Sequence, residues 1–189
     1  MADDLTIARA ELIIGGQRSG KSRRAESLAA AWLAQSGAHR AVMIATGQAW
    51  DDEMRERIAR HRMDRAVRVP KITTVEEPLA LPEVIAGQCA PDTLIVVDCL
   101  TLWLTNWLMP ADGAPRGEVP LAALNESIAK ATGPIVLVSN EIGLGVIPMG
   151  RDVRAFVDAQ GRLNQQVAQV CTRVTLMAAG LPLLLKDAS

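Results

Sequence analysis

The sequence predicts an α/β fold: an open, mostly parallel sheet with helices on both faces. Short apolar runs and amphipathic stretches alternate from one end to the other, the pattern of strands connected by crossover helices. Aromatic residues make up only 3%, with one Phe and no Tyr, so the core must come from Leu, Ile, Val and Ala, a composition suited to helices on a buried parallel sheet. Gly15, Thr46, Asp98 and Asn140 each fall where a predicted strand ends, which is where open α/β sheets carry their sites.

The elements follow in order. Leu12 to Ile14 is a short apolar run ending in Gly15-Gly16, and Lys21 to Gln35, rich in Ala and Leu and closed by Ser36-Gly37, reads as a helix. Ala41 to Ala45 is a second buried strand. Asp51 to Met63 sets Met54 and Ile58 at i,i+4 spacing, with acids first and arginines later, a helical pattern matched to the macrodipole. Ile72 to Val75 reads as a short strand and Leu79 to Ala86 as a helix with Pro82 near its start. Thr93 to Val97 is the clearest strand, ending at Asp98, and Leu102 to Leu108 is helical. The segment PADGAPRGEVP is the best candidate for a variable loop, too short to divide the chain. Leu121 to Lys130 is a helix, Ile135 to Val138 a strand ending at Ser139-Asn140, Asp152 to Thr172 a long helix and Val174 to Met177 a last strand.

At 189 residues, 1–189 is expected to form one domain with a substantial core. A net charge of −1 without like-charge runs argues against nucleic acid or an anionic membrane as partner, so anion recognition must be local. Cys89, Cys99 and Cys171 are odd in number and lack CxxC spacing, which points away from disulfides and zinc and towards a reducing, cytoplasmic compartment. MADDLTIARA carries two acids and no apolar stretch, unlike a signal peptide, and no apolar run approaches the length of a membrane span.

Gly15-Gly16-Gln17-Arg18-Ser19-Gly20-Lys21-Ser22 satisfies GxxxxGK[ST] throughout, the P-loop pattern. The glycines let backbone N–H groups turn inward on phosphate oxygens at the positive end of the following helix. Lys21 is the catalytic cation for the β- and γ-phosphates, and the Ser22 hydroxyl a ligand for Mg²⁺. Such a match arises by chance in roughly one chain of this length in a hundred or fewer, and here it also follows a strand and opens a helix. The fold expected is thus of P-loop NTPase type. Asp98, after Leu94-Ile95-Val96-Val97, is the second metal-directed group, unless it merely caps the next helix.

Of the two histidines, His39 follows Gly37-Ala38 in a turn and reads as solvated surface. His61 lies near the end of its predicted helix with Arg57 and Arg65 four residues either side. It is either a helix-terminal histidine favoured by the macrodipole or a nucleophile beside phosphates.

Together the segments GGQRSGKS, IATGQAWDDEMRERIARHR, TVEEP, VVDCLTLWLTN, VLVSNEIGLGVIP and GRLNQQVA, the last leading into AAGLPLLLK, resemble the bifunctional adenosylcobinamide kinase/adenosylcobinamide-phosphate guanylyltransferase family of cobalamin biosynthesis. The likeness runs from Glu11 to Lys186. It implies phosphorylation of the aminopropanol hydroxyl of adenosylcobinamide, followed by transfer of GMP from GTP through a covalent guanylyl-histidine, matched here by His61. It further implies GTP and ATP as substrates, a corrinoid partner and a homo-oligomer, typically a trimer. Nucleotide contacts map onto Gly15 to Ser22, Thr46-Gly47-Gln48, Arg62-Met63-Asp64-Arg65, Glu76 and Asp98, with Ser22 and Asp98 on the metal. Asn140-Glu141 is a corrinoid-side or catalytic loop, or a tight turn requiring Gly143 and Gly145.

Three positions depart from the family's pattern. Gln17 replaces a small residue in the P-loop, Ile72 stands where an aromatic is common, and Arg60 beside His61 leaves one histidine where two sometimes occur. Two other classes compete: a monofunctional small-metabolite kinase in which His61 is structural, and a non-enzymatic GTP switch. The switch would carry NKxD after a strand, where this chain has Ser139-Asn140-Glu141-Ile142.

Overall fold

The computed structural model describes residues 5–49, 51–110 and 117–188, with Arg57 described in its backbone alone. In chain order the elements are β1 (Ala10–Gly15), α1 (Lys21–Gln35), β2 (Arg40–Ala45), α2 (Asp52–Arg68), β3 (Thr73–Glu76), α3 (Leu81–Gln88), β4 (Thr93–Asp98), α4 (Leu100–Leu108), α5 (Leu121–Lys130), β5 (Ile135–Val138), α6 (Arg151–Val170), β6 (Arg173–Ala178) and β7 (Leu181–Asp187). The strands form one sheet in the order β3-β2-β4-β5-β1-β6-β7, with β7 antiparallel to β6 and every other pair parallel. The predicted α/β architecture with helices on both faces is present.

Inner strands buried on both faces need apolar residues at successive positions, and β4 and β5 supply them with TLIVVD and IVLV. One face packs Leu12, Ile95, Val97 and Leu137 under helices α3 to α6, through Ile85, Trp103, Leu124, Leu163 and Val167. Trp103 is fully buried and donates Nε1–H to the Leu79 carbonyl at 2.9 Å, an aromatic anchor in this largely aliphatic core, with Trp107 and Phe156 packed half-buried against it. The other face packs Ile13, Met43, Val96 and Val138 under Ala25, Leu28 and Ala29 of α1 and Val69 at the end of α2.

Beneath the first turn of α1 lies a buried ion pair. Arg24 Nε donates to Glu11 Oε1 at 3.0 Å, and the Thr175 hydroxyl donates to the same oxygen at 2.8 Å. These contacts fasten α1 to β1 and β6 just behind the glycine-rich segment.

Three expectations need correction. Strand β7 was not foreseen, because its turn is Ala179-Gly180 with φ of 53° and 80°, and alanine in the left-handed region lacks the Asn-Gly or Asp-Gly signal of a tight hairpin. Helix α2 runs on to Arg68, where Arg65 and Arg68 complement its C-terminal dipole, so His61 sits mid-helix and the macrodipole does not explain it. His39 is not plain solvated surface: its ring stacks on Trp32 at 3.7 Å between centroids, and its Nδ1 lies 2.9 Å from the Trp32 carbonyl oxygen. The PADGAPRGEVP loop falls in part on residues 111–116, outside the described residues.

Candidate active site

Residues 15 to 22 form the connection from β1 into α1, at the carboxyl edge of the sheet. Gly15 has φ of +151°, and a Cβ there would stand 2.4 Å from the Met177 carbonyl oxygen and 2.7 Å from Ser19 Oγ, so only glycine fits. Gly20, with φ of +104°, precedes α1, and no side chain caps that helix. Its amino end therefore keeps N–H groups for an anion. Ser19 is buried, and its hydroxyl has no partner among the described residues, an orphaned polar atom inside the loop. Lys21 is buried and donates Nζ–H to the carbonyls of Gly15 and Gly16 at 2.9 and 2.7 Å. Gly16, Gln17 and Arg18 lie exposed along the loop, and Ser22 is half-buried in the first turn of α1. The far side of the loop leans on the β6–β7 turn, where Gly180 N–H donates to Ser19 O at 3.0 Å.

Asp98 closes β4 two strands away from β1. Helix α4 starts at Leu100 with Cys99 before it, so Asp98 is not its cap. Burial pushes the Cys99 thiol up to about 12; Asp98 adds to that rise and Lys21 opposes it, which places both charges within electrostatic reach of one sulfur. Thr46 is fully buried. Its hydroxyl donates to Cys99 O at 2.7 Å and accepts Cys99 N–H at 3.0 Å, while its own N–H donates to Asp98 O. Asn106 Nδ2 then ties Thr46 O (2.8 Å) to Pro78 O (3.0 Å), joining the ends of β2 and β3. Thr46 thus clasps backbone to backbone beside Asp98.

A second group of residues gathers in a cleft between α2 and the edge of the sheet. Gly47, Gln48, Arg62, Glu76 and Pro78 line a space of ≈ 430 Å³, and Arg62 forms an ion pair with Glu76 across it. Arg65 is buried and reaches Thr74 Oγ1 at 3.3 Å, whereas Met63 and Asp64 face solvent. His61 is exposed on α2 and makes no hydrogen bond or ion pair with the described residues. The expected positions therefore fall into two sets, one around the 15–22 loop and Asp98, the other around α2 and Glu76. No contact among the described residues carries His61 to the loop.

A family model described as cobinamide kinase / cobinamide phosphate guanyltransferase (CobU) matches residues 11–185. The chain belongs to this family. Among curated relatives, the bifunctional adenosylcobalamin biosynthesis protein CobP of Pseudomonas aeruginosa is 49% identical over 177 residues, covering 93% of this chain and 96% of its own. The protein CobU of Escherichia coli, of the same description, is 34% identical over 187 residues, covering 93% and 98%. Among solved structures, flagellar accessory protein FlaH of Methanocaldococcus jannaschii superposes with a TM-score of 0.54 at 12% identity, over 96% of this chain and 80% of that one. That likeness concerns the fold alone. Membership of the kinase and guanyltransferase family makes the chain an enzyme.

The donor chemistry around the loop fits Mg²⁺. Ser22 and Asp98 offer hard oxygens from two elements at one sheet edge, and no cluster of three or more His, Cys, Asp or Glu able to hold a metal occurs among the described residues. Such a set suits an ion that arrives with phosphate oxygens and keeps its own waters.

Residues that sequence reasoning left without a role also converge here. Ser139, Gln160 and Asn164 form a buried amide–hydroxyl cluster under Asn140, and Thr101 Oγ1 accepts the Asn140 N–H at 2.9 Å. Their motifs, VVDCLTLWLTN and GRLNQQVA, were visible, but nothing in the spacing says that two distant helices meet at one strand end.

Proposed function

We propose that the chain phosphorylates the aminopropanol hydroxyl of adenosylcobinamide and then transfers GMP from GTP, through guanylyl-His61, to the phosphate so made. The observation that carries this reading is the 15–22 loop, with its uncapped helix start, the orphaned Ser19 hydroxyl and buried Lys21, at the same sheet edge as Asp98 within a chain of the cobinamide kinase family.

In the kinase step the loop N–H groups hold the polyphosphate of ATP or GTP, and Lys21 exchanges its carbonyl partners for β- and γ-oxygens. Ser22 and Asp98 would hold Mg²⁺, which when bound screens charge on the transferring phosphoryl group. In the guanylyl step a neutral His61 nitrogen attacks the α-phosphorus. The P–N bond forms as the bond to pyrophosphate breaks, and the ring proton passes to solvent. Arg62, released from Glu76, and Arg65 stabilise the developing charge. The cleft with Gly47, Gln48 and Glu76 suits the nucleoside part, and its size is that of a small-molecule site. We read the enzyme as a single-domain, cytoplasmic homo-oligomer, a trimer by its resemblance. Exposed Leu181, Leu183, Leu184 and Leu185 on the edge strand β7 support association, since a bare apolar edge otherwise invites uncontrolled pairing. Among the described residues no helix is long and apolar enough to cross a membrane.

Incubation with α-labelled GTP and Mg²⁺ should yield an acid-labile adduct at His61 that cobinamide phosphate discharges, and His61→Ala should abolish the label while retaining kinase turnover. Full labelling of the variant would remove His61 from the mechanism. A wild-type chain that phosphorylates cobinamide but never takes label would be a monofunctional kinase.

A further inference from the structure

Strand β5 lies between β1, which leads into the 15–22 loop, and β4, which ends in Asp98. The register sets Val138 opposite Ile13 on one side and opposite Asp98 on the other. The chain leaving β5 therefore emerges between the loop and the acid. Val138 packs on the α1 face with Ile13 and Val96. Ser139 turns to the opposite face, where its hydroxyl donates to Asn164 Oδ1 at 2.6 Å and accepts from Gln160 Nε2 at 2.9 Å. Alternation then returns Asn140 to the α1 face, the side of Asp98, which follows Val96 by two.

The backbone at Asn140 is gripped from all sides. Ser139 N–H donates to Ile13 O (2.9 Å), Asn140 N–H to Thr101 Oγ1 (2.9 Å) and Glu141 N–H to Gly15 O (3.0 Å), while Asn164 Nδ2 donates to Asn140 O (3.0 Å). Asn164 and Gln160 are 7% and 1% exposed, so this is a buried polar network dedicated to one peptide segment. The side-chain amide of Asn140, by contrast, makes no hydrogen bond with the described residues. A network that fixed only the backbone would be indifferent to the side chain it presents. Here it presents a neutral donor and acceptor between a phosphate-cradling loop and a metal-directed carboxylate.

We propose that Asn140 is a catalytic residue of the kinase step, its Nδ2–H donating to an oxygen of the transferring γ-phosphoryl group, and that Asn164 is the positioning residue that aims it. The inference rests on the kinase reading above. In that step the acceptor hydroxyl oxygen forms a bond to the γ-phosphorus as the bond to the β–γ bridging oxygen breaks. The nucleoside diphosphate departs and the hydroxyl proton passes to solvent, since an amide takes none. The Asn140 donor opposes the charge spread over the equatorial oxygens, where a fixed hydrogen bond lowers the barrier without a proton transfer.

The test is steady-state phosphorylation of cobinamide by the full chain with ATP and Mg²⁺, alongside thermal melting and nucleotide affinity. Asn140→Ala is expected to lower kcat about 100-fold with little change in KM for ATP, and Asn140→Asp to lose at least as much, because its charge repels the γ-phosphate. Asn164→Ala should lower kcat with nucleotide affinity intact, a split that a purely structural residue would not produce. The wild-type chain supplies a check independent of variant folding: the Asn140 side-chain amide resonance should shift on adding a non-hydrolysable ATP analogue with Mg²⁺. A kcat for Asn140→Ala within about twofold of wild type, or an unmoved amide resonance, overturns the proposal while leaving the kinase reading intact. Absence of wild-type turnover overturns the reading itself, and this inference with it.

Discussion

Glu11 and Arg24 show at the scale of single residues how a phosphate site is built from behind. Neither faces the loop, yet their buried pair decides where the first turn of α1 lies relative to β1. Truncating one partner strands the other charge in a dry interior, which costs far more than the pair contributes when intact. Glu11→Ala should therefore destabilise the fold by about 3 kcal/mol in urea unfolding, and a change under about 0.5 kcal/mol, the level of an ordinary surface substitution, would refute this account of the site. The cysteines provide a second residue-scale check. Burial holds the Cys99 and Cys171 thiols at about 12, so neither yields thiolate at pH 8. At half-buried Cys89, burial pushes upward, but hydrogen bonds from the Thr132 hydroxyl and from the Thr132 and Gly133 N–H groups outweigh it and lower the thiol. Iodoacetamide at pH 8 should modify Cys89 first in the folded protein, as mass mapping would show, because the thiolate is the reactive species.

At the scale of elements, α2 is the one whose sequence and structure tell different stories. Its local signals are strong: Asp51 caps it through Oδ1 to Met54 N–H at 2.7 Å, acids open it and arginines close it. Its tertiary support is thin, with Met63 and Val67 in solvent and an ion pair from Arg68 to Glu26 of α1 among its few anchors. A helix held mainly by its own propensity opens locally at low cost. Amide exchange should thus be faster through α2 than through α1, and GTP with Mg²⁺ should slow it; equal protection in the free protein would contradict this. The parallel strands and α1 were legible because periodicity and the glycine-rich motif act locally. Strand β7 was not, since an Ala-Gly turn carries no strong hairpin signal and its leucines lack polar alternation. Nor was the Ser139–Gln160–Asn164 cluster, which exists only once α6 is laid against β5. His61 and the 15–22 loop were both legible in the sequence, but the absence of any contact between them among the described residues was not.

At the scale of the whole molecule, two stretches of the described residues each carry four exposed large apolar side chains close together in sequence. One is β7; the other runs through Leu144, Val146, Ile147 and Met149 after β5, with Val146 and Met149 each 96% exposed. Where β7 pairs with β6, the register shifts between Val174 and Thr175, leaving Leu185 of β7 as an extra residue on an edge that closes the sheet. Association would cover such an edge, and light scattering should give a mass three times that of the 20.2 kDa chain. Charges on that edge, as in a Leu183→Glu/Leu185→Glu variant, should shift the species towards monomer. An unchanged mass would place the contact elsewhere, on the 144–149 stretch first.

The central claim is that residues 15 to 22 hold the polyphosphate on which the chemistry acts. A crystal structure with a non-hydrolysable GTP analogue and Mg²⁺ tests it most directly. The account predicts phosphates within the loop, Lys21 Nζ moved from the Gly15 and Gly16 carbonyls to β- and γ-oxygens, and the metal between Ser22 and Asp98. A polyphosphate seated elsewhere, with Lys21 still bound to its own loop, would contradict it.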